Sequence, residues 1–246
     1  MNLADVPCGV RQVSGRQGRV KGGQEAHRGQ FPWSASIHVE HGGHFCMGSV
    51  ISSRYVLTAA HCFDGRPADK FTVTVGAQDL SSPEPGRVTV SPAEKIVHQG
   101  YKAGQFDDDI ALLRLDAELA WSDYIQPICL STEDAKTFVG MRGIIAGWGY
   151  LDEWRKGGER SDTLQWTEVP ILARQTCQQW FDTANKKVKI SQQKLCAGYK
   201  TGGKDACQAD SGGALTVPLG GQYRLTGVVS AGFGCGRPGC PASTRT

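Results

Sequence analysis

From Phe31 onward the chain is built of short apolar runs broken by turn residues. Phe71-Thr72-Val73-Thr74-Val75 alternates apolar and polar positions, the period of two that a half-buried strand produces, and Val88-Thr89-Val90 continues it. Ile110-Ala111-Leu112-Leu113-Arg114-Leu115, Gly143-Ile144-Ile145-Ala146 and Tyr223-Arg224-Leu225-Thr226-Gly227-Val228-Val229 are further strand candidates. One stretch reads as a short helix, Ala173 to Phe181, where Cys177 and Phe181 fall four apart and so share a face. Residues 1–19 are polar, rich in Gly and Arg, and without period; they read as a tether. Leu151 to Asp162 carries Arg155, Lys156 and Arg160 and reads as a mobile surface loop open to nicking. Many short strands between turn signals predict an all-β sandwich or barrel.

The 246 residues suffice for one large all-β domain or two small lobes, and 32 Gly with 11 Pro suit short elements better than long helices. A net charge of +3, scattered along the chain, is too small to argue for nucleic acid or a membrane surface, and no apolar run has the length of a membrane span. Nine cysteines without a Cys-x-x-Cys pair or a compact zinc spacing favour disulfides and an oxidising, extracellular compartment, with one cysteine left over. The first residues, Met1 to Pro7, have neither the basic start nor the apolar core of a secretory signal, so a secreted origin implies a longer precursor.

Three stretches could carry chemistry. Asp210-Ser211-Gly212-Gly213 sets a serine on a glycine-flanked turn; alone it is an ordinary surface turn, and as a nucleophile it needs a base and oxyanion donors. Leu57-Thr58-Ala59-Ala60-His61-Cys62 ends an apolar strand on a histidine, which alone is structural or superficial. Asp107-Asp108-Asp109 stands at the mouth of the apolar strand Ile110 to Leu115 and alone is a solvated acidic turn with Asp109 half buried. Arg19-Val20-Lys21-Gly22-Gly23 reads either as an exposed loop or as a tryptic cleavage site that would free an α-amino group at Val20.

Taken together these segments closely resemble the trypsin-like serine endopeptidases of the chymotrypsin family. The histidine motif stands as Thr58-Ala59-Ala60-His61-Cys62, the aspartate motif as Asp109-Ile110-Ala111-Leu112-Leu113 and the serine motif as Asp210-Ser211-Gly212-Gly213, in the family's order. Phe45-Cys46, Gly147-Trp148-Gly149, Pro127-Ile128-Cys129-Leu130 and Leu195-Cys196-Ala197-Gly198 agree as well, so the resemblance runs from Cys8 to Cys235.

The resemblance implies two antiparallel six-stranded Greek-key β-barrels with a Ser-His-Asp triad between them: Ser211 as nucleophile, His61 as general base and acid, Asp109 as orienter of the imidazole. The backbone N–H groups of Ala209 and Ser211 would form the oxyanion hole. Asp205, six residues ahead of Ser211, falls at the base of the specificity pocket where family members that cut after Arg or Lys carry an aspartate, and Ser230 and Gly232 fall where that pocket is lined. Residues 1–19 would be a propeptide; cleavage after Arg19 would let the Val20 ammonium pair with Asp210 and order the site of the domain spanning 20–246. His44 falls where some relatives use a histidine to hold that aspartate in the zymogen, whereas His38 and His41 read as a polar hairpin tip. The implied disulfides are Cys8 with Cys129, Cys46 with Cys62, Cys177 with Cys196 and Cys207 with Cys235, leaving Cys240 alone. Ala77 stands where calcium-binding relatives have a glutamate, so no metal and no cofactor are expected. The implied partners are protein or peptide substrates with Arg or Lys at the cleaved bond, an activating protease of the same type, and protein inhibitors.

Departures gather at the active centre. Ala209 replaces a glycine at an oxyanion donor, Met47 another glycine beside the nucleophile, Lys21 an apolar residue, and Ala231 a tryptophan of the substrate-binding segment. After Pro241 the family continues Gly-Val-Tyr-Thr-Arg-Val into a pocket-walling strand and a closing amphipathic helix; here Ala242-Ser243-Thr244-Arg245-Thr246 stands instead. The expectation is a second barrel incomplete at its C-terminal end, with an unpaired edge and a poorly folding chain. The reading is a secreted zymogen of a serine endopeptidase; the alternative is a catalytically impaired homologue acting as a binding or regulatory module.

Overall fold

The computed structural model describes residues 6–12, 23–39, 42–65, 71–105, 107–151, 159–203, 209–231 and 237–245. Its strands are β1 (Gln24–Glu25), β2 (Ser34–Val39), β3 (His44–Ser52), β4 (Tyr55–Thr58), β5 (Phe71–Val75), β6 (Val88–Val90), β7 (Pro92–Val97), β8 (Ala111–Leu115), β9 (Cys129–Leu130), β10 (Arg142–Gly147), β11 (Gln165–Leu172), β12 (Lys194–Ala197), β13 (Ala214–Leu219), β14 (Gln222–Ala231) and β15 (Ala242–Arg245). A single α-helix, α1 (Arg174–Thr183), and two 3-10 turns, Ala60–Phe63 and Ala135–Phe138, complete the described elements.

The first sheet runs β6-β5-β2-β3-β4-β8-β7 and curls on itself, its two outer strands being consecutive in sequence and separated by Ser91 alone. The second runs β1-β11-β10-β13-β14-β15-β12, and β12 returns to pair with β11, closing a ring of six with β1 attached outside it. This is the two-barrel, chymotrypsin-like arrangement, with one correction. The expected gap at the end of the second barrel is filled: β15 pairs antiparallel with β12 through Cys196↔Ser243 and with β14 through Val229↔Thr244. Four residues are enough because successive residues present their N–H and C=O groups to alternate edges, so a short strand bridges two neighbours. No unpaired edge remains there. Apolar surface does remain, in a groove of about 490 Å3 lined by Leu57, Ile96, Leu112, Leu130 and Leu225 among others.

Alternation explains how the cores are shared. In β10, Ile144 joins the core of the first barrel and the space between barrels, while its neighbour Ile145 faces the interior of the second; Val228 and Val229 of β14 divide in the same way. In β5, Phe71, Val73 and Val75 are buried as their spacing predicts. Thr74, on the face expected to be wet, is buried too, because its hydroxyl meets that of Thr89 at 2.9 Å. Cys177 and Phe181 both point inward from α1, as their spacing requires.

Three disulfides tie these parts: Cys8 with Cys129, Cys46 with Cys62 and Cys177 with Cys196; Cys240 is buried and unbridged, and Cys207 and Cys235 lie outside the described residues. The segment around Cys8 is docked as well as bridged. Gly9 donates to the Pro127 carbonyl and accepts from the Tyr223 amide, and a Cβ on Gly9, whose φ is +66°, would meet the Tyr223 oxygen at 2.1 Å. Arg11 stacks on Tyr223, its guanidinium carbon 3.9 Å from the ring centre. The charged insertion is tied at its neck by a Tyr150↔Arg160 bridge; residues 152–158 lie outside the described set. No helix among the described residues is long and apolar enough to cross a membrane.

Candidate active site

His61 is delivered by β4 and the 3-10 turn that follows it, and the bridge from Cys62 to Cys46 on β3 fixes that turn. Both oxygens of Asp109 face it: Oδ2 lies 2.7 Å from His61 Nδ1, and Oδ1 accepts the His61 backbone N–H at 2.8 Å. A carboxylate accepts only, so Nδ1 carries the proton in this bond. Asp109 is fully buried. Burial alone pushes its carboxyl up, but the hydrogen bond and charge of His61, the Ser230 hydroxyl and the His61 amide outweigh that and hold it below the usual carboxylate value. The Ser230 bond, 2.5 Å to Oδ2, is one the sequence did not suggest: a residue expected on the pocket wall gives its hydroxyl to the buried aspartate.

Backbone geometry aims Asp109. Asp108 adopts a left-handed φ of +54° and its carbonyl accepts the Ile110 amide at 2.8 Å, so the chain reverses tightly just before β8. Asp is among the few side chains that enter this region readily.

The serine turn packs through Met47 on β3, the strand bridged to the histidine turn by Cys46 and Cys62. The Met47 amide donates to the Ser211 carbonyl at 2.7 Å, and the Met47 carbonyl accepts the Thr58 hydroxyl at 2.7 Å. Gly212 fills the remaining space: with φ +86°, a Cβ there would lie 2.2 Å from the Met47 oxygen and 2.3 Å from Thr58 Oγ1. Its amide donates to Val229 at 2.8 Å. The sulfur of Cys62 is 3.7 Å from the Ser211 carbonyl oxygen and, being bridged, makes contact without donating. His61 and Ser211 are thus held on abutting elements by β3, which supplies both Cys46 and Met47.

Ala209, where a glycine was expected, has φ +72°, so the backbone keeps the left-handed conformation despite the Cβ. Its carbonyl is gripped by His44: Nε2 to oxygen, 3.0 Å. His44 Nδ1 is 2.7 Å from Ser36 Oγ, which is 2.8 Å from His38 Nε2. Burial pushes His44 down to about 3, and burial, reinforced by the charges of Arg87 and Arg160, pushes His38 down to about 4. Both rings are therefore neutral near pH 7. Since Ala209 offers only an acceptor, His44 donates from Nε2, Ser36 donates to His44 Nδ1, and His38 donates to Ser36. His38 is part of this relay rather than of a polar hairpin tip; His41 lies outside the described residues.

The ring of His44 bonds the Ala209 carbonyl, and Asp210 has a partner on the segment 147–149. Its Oδ1 accepts the Gly149 amide at 2.8 Å, and the absence of side chains at Gly147 and Gly149 admits it, since a Cβ on Gly147 would lie 1.9 Å from that oxygen. A cavity of about 110 Å3 adjoins this carboxylate, bordered by Gly23, Gly147, Gly149 and Trp166. Arg19, Val20, Asp205 and Gly232 lie outside the described residues, as does the side chain of Ala231. The relay through Ser36 and His38 and the bond of Ser230 to Asp109 were not found from sequence, although Ser230 itself was expected on the pocket wall, because nothing local marks a serine or histidine on an alternating strand for such a contact. Cys46, His61 and Cys62 bring ligand atoms within 4.8 Å of one another, but the two sulfurs are bonded together and offer no thiolate to a metal.

The family model described as Trypsin matches residues 20–245. The chain is 34% identical over 249 residues to serine proteinase stubble of Drosophila melanogaster, an alignment covering 98% of this chain and 31% of that protein. It is 38% identical over 242 residues to serine protease filzig of the same organism, covering 95% of this chain and 14% of that protein. The chain thus spans a third or less of these relatives.

Proposed function

The chain belongs to the trypsin family of serine proteases, and on that premise we propose that it is the zymogen of a secreted endopeptidase that cuts after Arg or Lys. The observation that carries this reading is the geometry at His61: a buried carboxylate on Nδ1 at 2.7 Å, which orients the imidazole for general-base chemistry at Nε2. Ser211, on the turn packed against β3, is the nucleophile. Its hydroxyl proton passes to His61 as oxygen attacks the scissile carbonyl, and from His61 to the leaving amine as the acyl-enzyme forms; water then repeats the sequence. Asp109 stabilises the imidazolium and Ser230 holds Asp109. The backbone N–H groups of Ala209 and Ser211 serve the oxyanion, each such donor being worth about 3 kcal/mol. Asp205 selects a cationic side chain, because an uncharged one would leave its carboxylate unpaired.

Activation follows from the same loop. Cleavage after Arg19 frees the Val20 ammonium, which enters beside Asp210 and completes a carboxylate already seated on Gly149. The cysteine bridge at Cys8 keeps residues 1–19 attached afterwards, and the domain proper spans 20–246. The implied partners are protein substrates, an activating protease and protein inhibitors.

The second reading, an impaired homologue that binds rather than cuts, is favoured by one observation: Ala209 sits at φ +72°, a region that strains alanine and suits glycine. One experiment separates the two. The chain is cleaved after Arg19, Val20 is verified as the new N-terminus, Ser211 is titrated with a fluorophosphonate, and Arg-amide turnover is compared with that of an aromatic amide. Stoichiometric labelling with preference for Arg is expected. A folded, cleaved sample that takes no label refutes the protease reading.

A further inference from the structure

The acidic run ahead of β8 contains three aspartates, of which the chemistry above uses only Asp109. The other two reach across to the second barrel. Asp107 Oδ1 lies 2.9 Å from Ser191 Oγ and 3.5 Å from Lys194 Nζ. Asp108 Oδ1 lies 3.3 Å from Arg245 Nη2, with both side chains largely shielded, 22% and 13% exposed. Lys194 and Arg245 are register partners on β12 and β15. Two cations opposed across a ladder repel unless anions meet them, and here two consecutive carboxylates do.

His98 Nδ1 also faces this carboxylate, 3.8 Å from Asp108 Oδ1, and lies 3.1 Å from the Gly100 amide, farther from Asp108 than the Arg245 guanidinium. Gly100 gives Asp108 its seat: a Cβ at that position would lie 2.5 Å from Asp108 Oδ2. Asp108 also holds the left-handed φ that turns the chain so that Asp109 enters the interior. Any loosening of Asp108 is therefore transmitted, one peptide later, to the carboxylate beneath His61.

We propose that Arg245 and Asp108 are positioning residues for the proteolytic reaction: their ion pair between the barrels, seconded by Lys194 and Asp107, fixes the placement of Asp109 against His61. The inference rests on the protease reading for its kinetic consequence but not for its structural one. Partial burial protects the pair from screening better than an exposed pair, so its effect persists at moderate salt.

The test uses the cleaved chain with Asp108→Asn, Arg245→Gln, their double variant and Arg245→Lys. The control is Arg54→Gln, which breaks the exposed pair with Glu118. Turnover is expressed per fluorophosphonate-titrated site. Each single charge-removing variant is expected to lower kcat about three- to tenfold with KM nearly unchanged, the double variant to be no worse than the singles, and Arg245→Lys to recover part of the loss. A second readout needs no turnover: the low-field proton resonance of the His61 Nδ1–H bond should move and broaden in Asp108→Asn and Arg245→Gln and stay in place in the control. Should the wild-type chain prove inactive, the protease reading fails while this resonance still decides the positioning role. An unmoved resonance in both folded variants, or kcat per titrated site equal to wild type, overturns it, whatever happens to the melting temperature.

Discussion

The ring of His44 reaches across 165 positions of sequence to the carbonyl of Ala209, Nε2 to oxygen 3.0 Å. It thereby ties the most conformationally demanding residue of the serine turn to β3 of the first barrel. Among the described residues with positive φ that are not glycine, the other two are an aspartate and an asparagine, which tolerate that region; Ala209 does not.

Ala209→Gly should therefore relieve about 1–2 kcal/mol of left-handed strain, offset by about 0.5–1 kcal/mol from the greater freedom of glycine in the unfolded chain. The net gain lies between about zero and about 1.5 kcal/mol, each kcal/mol being worth about 2–4 °C in Tm for a chain of this length. Calorimetry checks this, and turnover per titrated site should rise with it. A lower Tm for Ala209→Gly would mean that the alanine is not strained.

The His38, Ser36 and His44 relay predicts an acid-sensitive fold. Both histidines titrate lower in the folded protein, to about 4 and about 3, than in the unfolded chain. Below the ordinary histidine value the unfolded chain binds protons that the folded chain refuses. Their contribution to stability is full above about pH 6.5 and declines as pH falls toward 4 and then 3. Unfolding free energy measured between pH 7 and 4.5 should fall in wild type and fall less steeply in His44→Asn. Parallel curves for the two proteins would contradict the neutral relay.

Ser230→Ala removes one of the hydrogen bonds that outweigh the burial cost of Asp109. A hydrogen bond to a charged group is worth about 1.5–3 kcal/mol, so kcat/KM should drop about tenfold or more. Steady-state kinetics on an Arg-amide substrate would reveal it; full activity would place the Ser230 hydroxyl outside the mechanism.

Gly212→Ala should cost about 2–4 kcal/mol, since the new Cβ would fall 2.2 Å from the Met47 oxygen at a φ of +86°. Denaturant unfolding measures it. Gly140→Ala, also at positive φ but with nothing within 4 Å of the new atom, isolates the backbone strain and should cost less.

The sequence alone determined the strand runs, because alternation and turn chemistry are local, and it marked the motifs around His61, Asp109 and Ser211, because each is a short contiguous pattern. Three cysteine pairs followed from the family resemblance and stand in the structure. Tertiary structure decided the rest, since the deciding contacts join residues far apart in sequence. Closure of the second barrel depends on the four-residue β15 finding β12 and β14 at once, which no local pattern of Ala242 to Arg245 announces. The role of Ser230 depends on a partner 121 positions away, and the relay from His38 to Ala209 on a hairpin meeting the serine turn. Whether alanine could stand at position 209 was likewise undecidable from residue type: the sequence supplies the Cβ, but His44 holds the Ala209 carbonyl, Met47 the Ser211 carbonyl and Gly149 the Asp210 carboxylate.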